Sequence, residues 1–198
     1  MTDSPIARLR EAMHATERLV ASIRPNQWQL ATPCTEWSVR DVANHLVGGS
    51  RLFARVLRGE DPPGPPAGTP RDHLGDDPVR SYRDAAADLL DAFALPGALE
   101  RVIRVPVGSV PGIAALHLRI VEAFVHGWDL ARATGQRVDF DEAAVEEELA
   151  FSRDRLPHVP GDRRPFAPPQ AVSDDAPAID RLAALLGRQV TRAPAGTG

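Results

Sequence analysis

Apolar residues recur three and four positions apart in four stretches of the 198-residue chain. That spacing gives an α-helix one buried face. In the first stretch Ile6, Leu9, Met13, Val20 and Ile23 share a face. Ser4-Pro5 opens it with a capping hydroxyl followed by proline at the first helical position. The second opens at Ser38, with Asp41 three residues on as an acidic variant of the capping box. Val42, Leu46, Gly49, Phe53, Val56 and Leu57 take one face, and Arg40, Asn44, Arg51, Arg55 and Arg58 the other. His45 falls on the edge of the apolar arc, and Gly59 ends the helix. In the third, Asp77-Pro78 starts a run of Val79, Tyr82, Ala86, Leu89 and Phe93 that Pro96-Gly97 stops. Ser109 to Gly112 launches the fourth, which Gly135 closes. The pattern predicts helices near residues 5–24, 38–58, 78–95 and 111–134.

The intervening segments are weaker. Pro25 to Glu36 is a connection carrying Trp28 and the T-P-C of Thr32, Pro33 and Cys34. Asp61 to Asp76 is too rich in proline and glycine to be helical and reads as a long crossover or surface loop. Arg101 to Val107 alternates enough for a short strand or extended segment. Asp141 to Leu156 reads as an acidic fifth helix, followed by an irregular stretch with Arg163-Arg164 and then a short helix from Pro177 to Leu186. Nothing is strong enough to build a sheet. The expected architecture is all-α: a four-helix bundle over residues 1–135 with a long crossover, and a short helical extension over 136–198 packed on it.

Composition narrows the functional classes. The 43% hydrophobic and 25% charged content belongs to an ordinary globular protein. All 23 basic residues are arginine, which together with the abundant Ala, Gly and Pro reflects a GC-rich genome. The net charge of −4 offers no basic face for nucleic acid. No apolar run is long enough to span a membrane, and no signal peptide is visible at the N-terminus. The single cysteine, Cys34, excludes an internal disulfide framework. A cytoplasmic monomer or homodimer is expected, with neither nucleic acid nor membrane as partner.

The candidate chemistry lies in Leu118 to Gly135. Glu122 and His126, four residues apart, project about 40° from one another and one turn apart along the axis. They can share a metal ion or hydrogen-bond to each other. With Asp129 they flank an arc of Ile120, Val121, Phe124, Val125 and Trp128, and Arg119 lies nearby. From periodicity alone, the plain reading of such a flank is a polar stripe at the bundle edge. His45 on the facing helix would complete two imidazoles and a carboxylate, a three-ligand set with open positions of the kind catalytic metal sites require. Asp129 would then be an outer partner that orients a ligand imidazole or a metal-bound water.

Thr32 to Gly49 and Glu122 to Gly135 resemble the two signature stretches of the DinB-like metal-binding bundles. The closer match is the mycothiol-dependent maleylpyruvate isomerase N-terminal-domain branch. Phe166 to Arg188 resembles the tail of the short stand-alone members of that branch. The resemblance implies a four-helix bundle holding a divalent metal, usually zinc, with His45, Glu122 and His126 as ligands and mycothiol as co-substrate. In the isomerase a further C-terminal domain contributes to the active site, where this chain has only a short tail.

Other residues read more plainly. Cys34 is expected to be a small buried hydrophobe, with no helix dipole to activate it. His14, His73, His117 and His158 have no ligand-spaced partners and read as surface or satisfied residues. Trp37 and Trp128 are packing anchors, either of which could wall a metal cleft. Arg163 and Arg164 form a solvated loop pair able to clamp a carboxylate. Two functional classes follow. The first is a zinc-dependent transferase or isomerase acting on a small electrophile with a small thiol, the metal lowering the thiol's pKa. The second is a non-catalytic metal-binding or stress-response protein. A mononuclear iron site uses the same ligand types.

Overall fold

The computed structural model describes residues 4–61, 71–105, 108–159 and 166–190. Four helices carry the core: α1 (Pro5–Ala21), α2 (Val39–Leu57), α3 (Pro78–Phe93) and α4 (Gly112–Thr134). Helices α1 and α2 each pack against both α3 and α4. Leu9, Leu46, Leu57, Leu89, Phe93, Leu116, Ile120 and Phe124 are among the side chains they bury completely. Removing this apolar surface from water is the main force holding the helices together.

Three of the four starts carry the side-chain caps that their sequences announce. Ser4 accepts from Ala7 N at 3.2 Å, and Asp77 accepts from Arg80 N at 3.0 Å. Ser38 and Asp41 form the reciprocal box, Asp41 N to Ser38 Oγ at 3.2 Å and Ser38 N to Asp41 Oδ2 at 2.9 Å. These caps satisfy backbone donors that the first helical turn leaves free. The polar face of α2 also holds the returning crossover. Asn44 Nδ2 donates to Arg71 O at 2.9 Å and its Oδ1 accepts from His73 N at 2.6 Å.

The start of α4 differs from expectation. Val102–Val105 (β1) pairs antiparallel with Gly108–Pro111 (β2), Ile103 opposite Val110 and Val105 opposite Gly108. The stretch expected to launch the helix is thus the second strand of a hairpin. Pro111 at the N-cap makes no side-chain cap bond. Instead Gly112 N donates to Arg101 O at 2.8 Å and Ile113 N to Leu99 O at 2.7 Å. The backbone of the preceding turn replaces the missing cap, and for that it must approach closely. A Cβ added at Gly112 would stand 1.8 Å from Ala98 O. Gly112→Ala should therefore destabilise the chain by about 3 kcal/mol, the upper range for overpacking a site that cannot yield. A shift of the urea midpoint at constant slope would measure this, and an unshifted midpoint would refute it.

Beyond the bundle, α5 (Glu142–Arg155) and α6 (Ala178–Leu185) pack on one another and on α4. Ala178 N donates to Glu142 Oε1 at 2.7 Å, and Trp128 Nε1 to Asp180 Oδ1 at 2.7 Å. His117, read as a surface or satisfied residue, is a satisfied one. Its Nδ1 lies 2.9 Å from Oε1 of the fully buried Glu148 on α5, and its ring stacks on Phe151. Burial raises the Glu148 carboxyl above its ordinary value of 4.5, against the opposing pull of His117 and Arg8. A raised folded value favours the neutral acid. Glu148 therefore contributes stability below pH 4.5 that is lost as pH rises through its folded value. Glu148→Gln keeps a partner for His117 without the charge. Its melting temperature relative to wild type should rise between about pH 4 and 7, whereas parallel curves would contradict this account.

Candidate metal centre

Helices α2 and α4 face each other, and their polar edges meet. His45 comes from the second turn of α2, Glu122 and His126 from the middle of α4. His45 Nε2 is 2.7 Å from Glu122 Oε2, and His126 Nε2 is 3.4 Å from the same oxygen. The two imidazole centroids are 5.0 Å apart. All three ligand atoms lie within 4.8 Å of one another.

Exposure is graded across the cluster. The His45 side chain is 38% accessible, that of Glu122 17% and that of His126 4%. The site opens on the α2 side and closes toward the interior. His126 and Asp129, expected on a polar stripe at the edge, are in fact buried, Asp129 completely. Helix α4 is covered on nearly every side because α5 and α6 wrap the flank that a lone bundle would leave in water.

Buried charges need partners, and each of these has one. His126 Nδ1 is 3.0 Å from Asp129 Oδ2. Carboxylates only accept, so Nδ1 donates to Asp129 and Nε2, when protonated, donates to Glu122; once it loses that proton, Nε2 is the nitrogen left to ligate. Burial by itself would lower the His126 pKa, but the hydrogen bonds to Asp129 and Glu122 outweigh it and raise it. Burial by itself would raise Glu122. The hydrogen bonds and charges of His126 and His45 overcome that and hold it well below the usual carboxylate range. Arg119 adds a buried cation with Nη1 4.0 Å from Glu122 Oε2, its guanidinium over the Phe53 ring. Gly49 makes room for it, since a Cβ there would stand 2.6 Å from Arg119 Nη1.

The turn before α2 forms a further wall. Thr32 Oγ1 and the backbone of Cys34 and Trp37 tie that turn together. The Trp37 ring lies 4.8 Å from that of His45 and 5.7 Å from that of His126, stacked on the latter. Trp37 thus lines the cleft, while Trp128 is a buried anchor whose indole binds Asp180. Cys34 is half-buried and lies within 4.8 Å of His126 and Asp129 ligand atoms. Burial pushes its thiol up to about 11, so it is neutral at physiological pH. Its place beside the cluster was not evident from its neighbours in sequence. Nor was Arg188, which reaches Asp129 from the C-terminal segment with Nη2 2.9 Å from Oδ2. His73 stays outside, packed over Gly48, and Arg163 and Arg164 fall outside the described residues.

The arrangement of the helices defines an all-α, DinB-like fold. A DinB-like protein from Bacillus subtilis superimposes with a TM-score of 0.53 at 16% identity, over 69% of this chain and 96% of that one. A mycothiol-dependent maleylpyruvate isomerase superimposes with a TM-score of 0.58, also at 16% identity, over 74% of this chain and 66% of the isomerase. At such identities the likeness establishes the fold alone. Sequence goes further. The pattern of the mycothiol maleylpyruvate isomerase N-terminal domain matches residues 9–131. Two uncharacterised proteins, from two strains of Mycobacterium tuberculosis, are each 35% identical over 188 residues, 94% of this chain and 98% of theirs. The chain belongs to the mycothiol maleylpyruvate isomerase N-terminal domain family. Among the described residues no helix is long and apolar enough to cross a membrane.

Proposed function

We propose that this protein is a metal-assisted transferase or isomerase that uses a low-molecular-weight thiol, with one divalent ion, zinc by donor type, on His45, Glu122 and His126. The observation that carries the reading is the convergence of those donors, from α2 and α4, within 4.8 Å of one another. We read residues 1–135 as the metal-binding bundle and 136–198 as an extension packed on it.

The donor set fits the ion. Two ligands at zinc bond lengths and a tetrahedral angle stand about 3.4 Å apart, close to the 3.4 Å between His126 and Glu122 and a small opening from the 2.7 Å between His45 and Glu122. The Nδ1 bond to Asp129 already leaves Nε2 of His126 free to ligate. Bound there, zinc would supply a coordination position at which a thiol is held and ionises below its free pKa. The protein's own groups do the rest. Glu122 stays anionic and brings one negative charge to the site, Arg119 balances it from the buried side, and Trp37 shields one wall from water. The exposed edge of His45 leaves the entrance for a small thiol and a small electrophile, for which the isomerase's mycothiol and maleylpyruvate are the first candidates.

A second reading, a non-catalytic metal-binding or stress-response protein, draws on Cys34. It groups with His126 and Asp129 in a second donor cluster, where an ion would serve a structural role. Assay of the metal-free and zinc-reconstituted protein with mycothiol and maleylpyruvate, and with a panel of alkylating electrophiles, separates the two. Turnover should depend on both thiol and zinc, and should vanish in His126→Ala. Thiol consumption at equal rates with and without the metal would overturn the enzyme reading.

A further inference from the structure

Asp129 accepts from two sides at once. His126 Nδ1 is 3.0 Å from Oδ2. Arg188 grips both oxygens, Nη2 at 2.9 Å from Oδ2 and Nε at 3.3 Å from Oδ1, from 59 residues away in sequence. Both side chains are buried, Asp129 fully and Arg188 to within 5%. The backbone aims the arginine. Helix α6 ends in a double C-cap, with Gly187 N donating to Ala184 O at 3.0 Å and Arg188 N to Ala183 O at 2.9 Å. These are the two bonds of a Schellman motif, with Gly187 in the left-handed region at φ 89°. The turn places Arg188 over the Phe166 ring, with Nη1 donating to Leu186 O at 2.8 Å.

We propose that Arg188 is a positioning residue for the ligand imidazole of His126, acting through Asp129, so that docking of the C-terminal segment sets the metal affinity of the bundle. The inference rests on the metal reading above. A buried carboxylate with one neutral donor is poorly satisfied and free to turn about its side-chain torsions. The guanidinium fork fixes its plane and position through two parallel bonds. Asp129 in turn fixes the His126 ring, whose Nε2 faces Glu122 at 3.4 Å. Arg188 has a second effect. Cys34, His126 and Asp129 form another group of donors within 4.8 Å of one another. By occupying both Asp129 oxygens, Arg188 keeps that carboxylate from ligating and leaves His126 to the set with Glu122 and His45.

The test is a zinc competition titration against a chromophoric chelator, on full-length wild type, Arg188→Met, Arg188→Lys, Asp129→Asn and the double variant Arg188→Met/Asp129→Asn. Wild type should bind one equivalent. Arg188→Met should weaken binding about ten- to hundredfold, the range seen when outer partners of metal ligands are removed. Arg188→Lys, which keeps the charge without the fork, should lose less. Because the two residues act in series, the double variant should bind no more weakly than Asp129→Asn alone. A purely structural contribution of the tail would instead multiply the two losses. Should Arg188→Met fail to fold by circular dichroism, Arg188→Lys against Asp129→Asn carries the same comparison. Arg188 variants that bind within about twofold of wild type, or losses that multiply, overturn the inference while leaving the metal site standing. A wild type that binds no zinc overturns both.

Discussion

His45→Ala and His126→Ala should each abolish stoichiometric zinc, while His73→Ala should leave one ion per chain. Three protein ligands are the fewest that a catalytic zinc site uses, and losing one leaves two. The loss in affinity should exceed the roughly hundredfold upper range for outer-partner removal. The fold should survive both changes, for different reasons. His45 is partly exposed, so its truncation leaves a gap that water fills. His126 is buried, and His126→Ala strands Asp129 with Arg188 as its remaining partner, a pair that stays charge-balanced. His73 packs over Gly48, outside the donor cluster. Elemental analysis of untagged protein reads all three. A full equivalent of zinc in His45→Ala would mean that α2 contributes no ligand.

The second large effect concerns turnover. Glu122→Ala should lose nearly all thiol-dependent activity, whereas Cys34→Ser should keep most of it. Glu122 is the single anionic member of the ligand set, and both imidazoles already lean on its Oε2. Cys34 is close to the cluster, but burial holds its thiol at about 11, so at neutral pH almost none is the nucleophilic thiolate. The pH profile follows with the same sign. A free thiol ionises near about 8.5, and one held at a metal ionises lower. The rate of the zinc-loaded protein should stay high down toward neutral pH, and that of the metal-free protein should fall. If Cys34→Ser proves as damaging as Glu122→Ala at unchanged metal content, the nucleophile resides in the protein and the exogenous-thiol account is wrong.

How much of this was legible in the sequence follows from the range of each interaction. Ser4-Pro5, Ser38 with Asp41, and Asp77-Pro78 are local signals, and each caps the helix it announced. The apolar spacings of α1, α2 and α3 depend only on the 3.6-residue period, and they point inward as expected. Around α4 the same reasoning reached its limit. Its start is satisfied by carbonyls of Leu99 and Arg101, and a helix that borrows its cap carries no capping residue to read. Of the two strands beside it, Val102–Val105 lies within the stretch whose alternation suggested a short strand, whereas its partner Gly108–Pro111, with glycine and proline, carried no such signal.

In the cluster, Glu122 and His126 share one helix, so their spacing alone brought them together. His45 needed the facing of α2 and α4, which its position on the apolar edge hinted at and the family resemblance supplied. The Arg188 pairing with Asp129 spans 59 residues and depends on the turn after α6. No local pattern encodes it. Burial of His126 and Asp129 was missed for the same reason, since the covering elements lie beyond the bundle. Trp37 was marked as a possible wall, and its stacking on His126 and tilted contact with His45 follow from its place immediately before the Ser38 cap.

The central claim is an open, three-ligand metal site, and anomalous scattering at the zinc absorption edge from crystals of the untagged protein tests it most directly. The account predicts one peak per chain, at about 2.0–2.2 Å from a nitrogen of His45, a nitrogen of His126 and an oxygen of Glu122, with the remaining position filled by solvent or thiol. No peak between α2 and α4, or a peak whose fourth ligand is Cys34 Sγ, would contradict it.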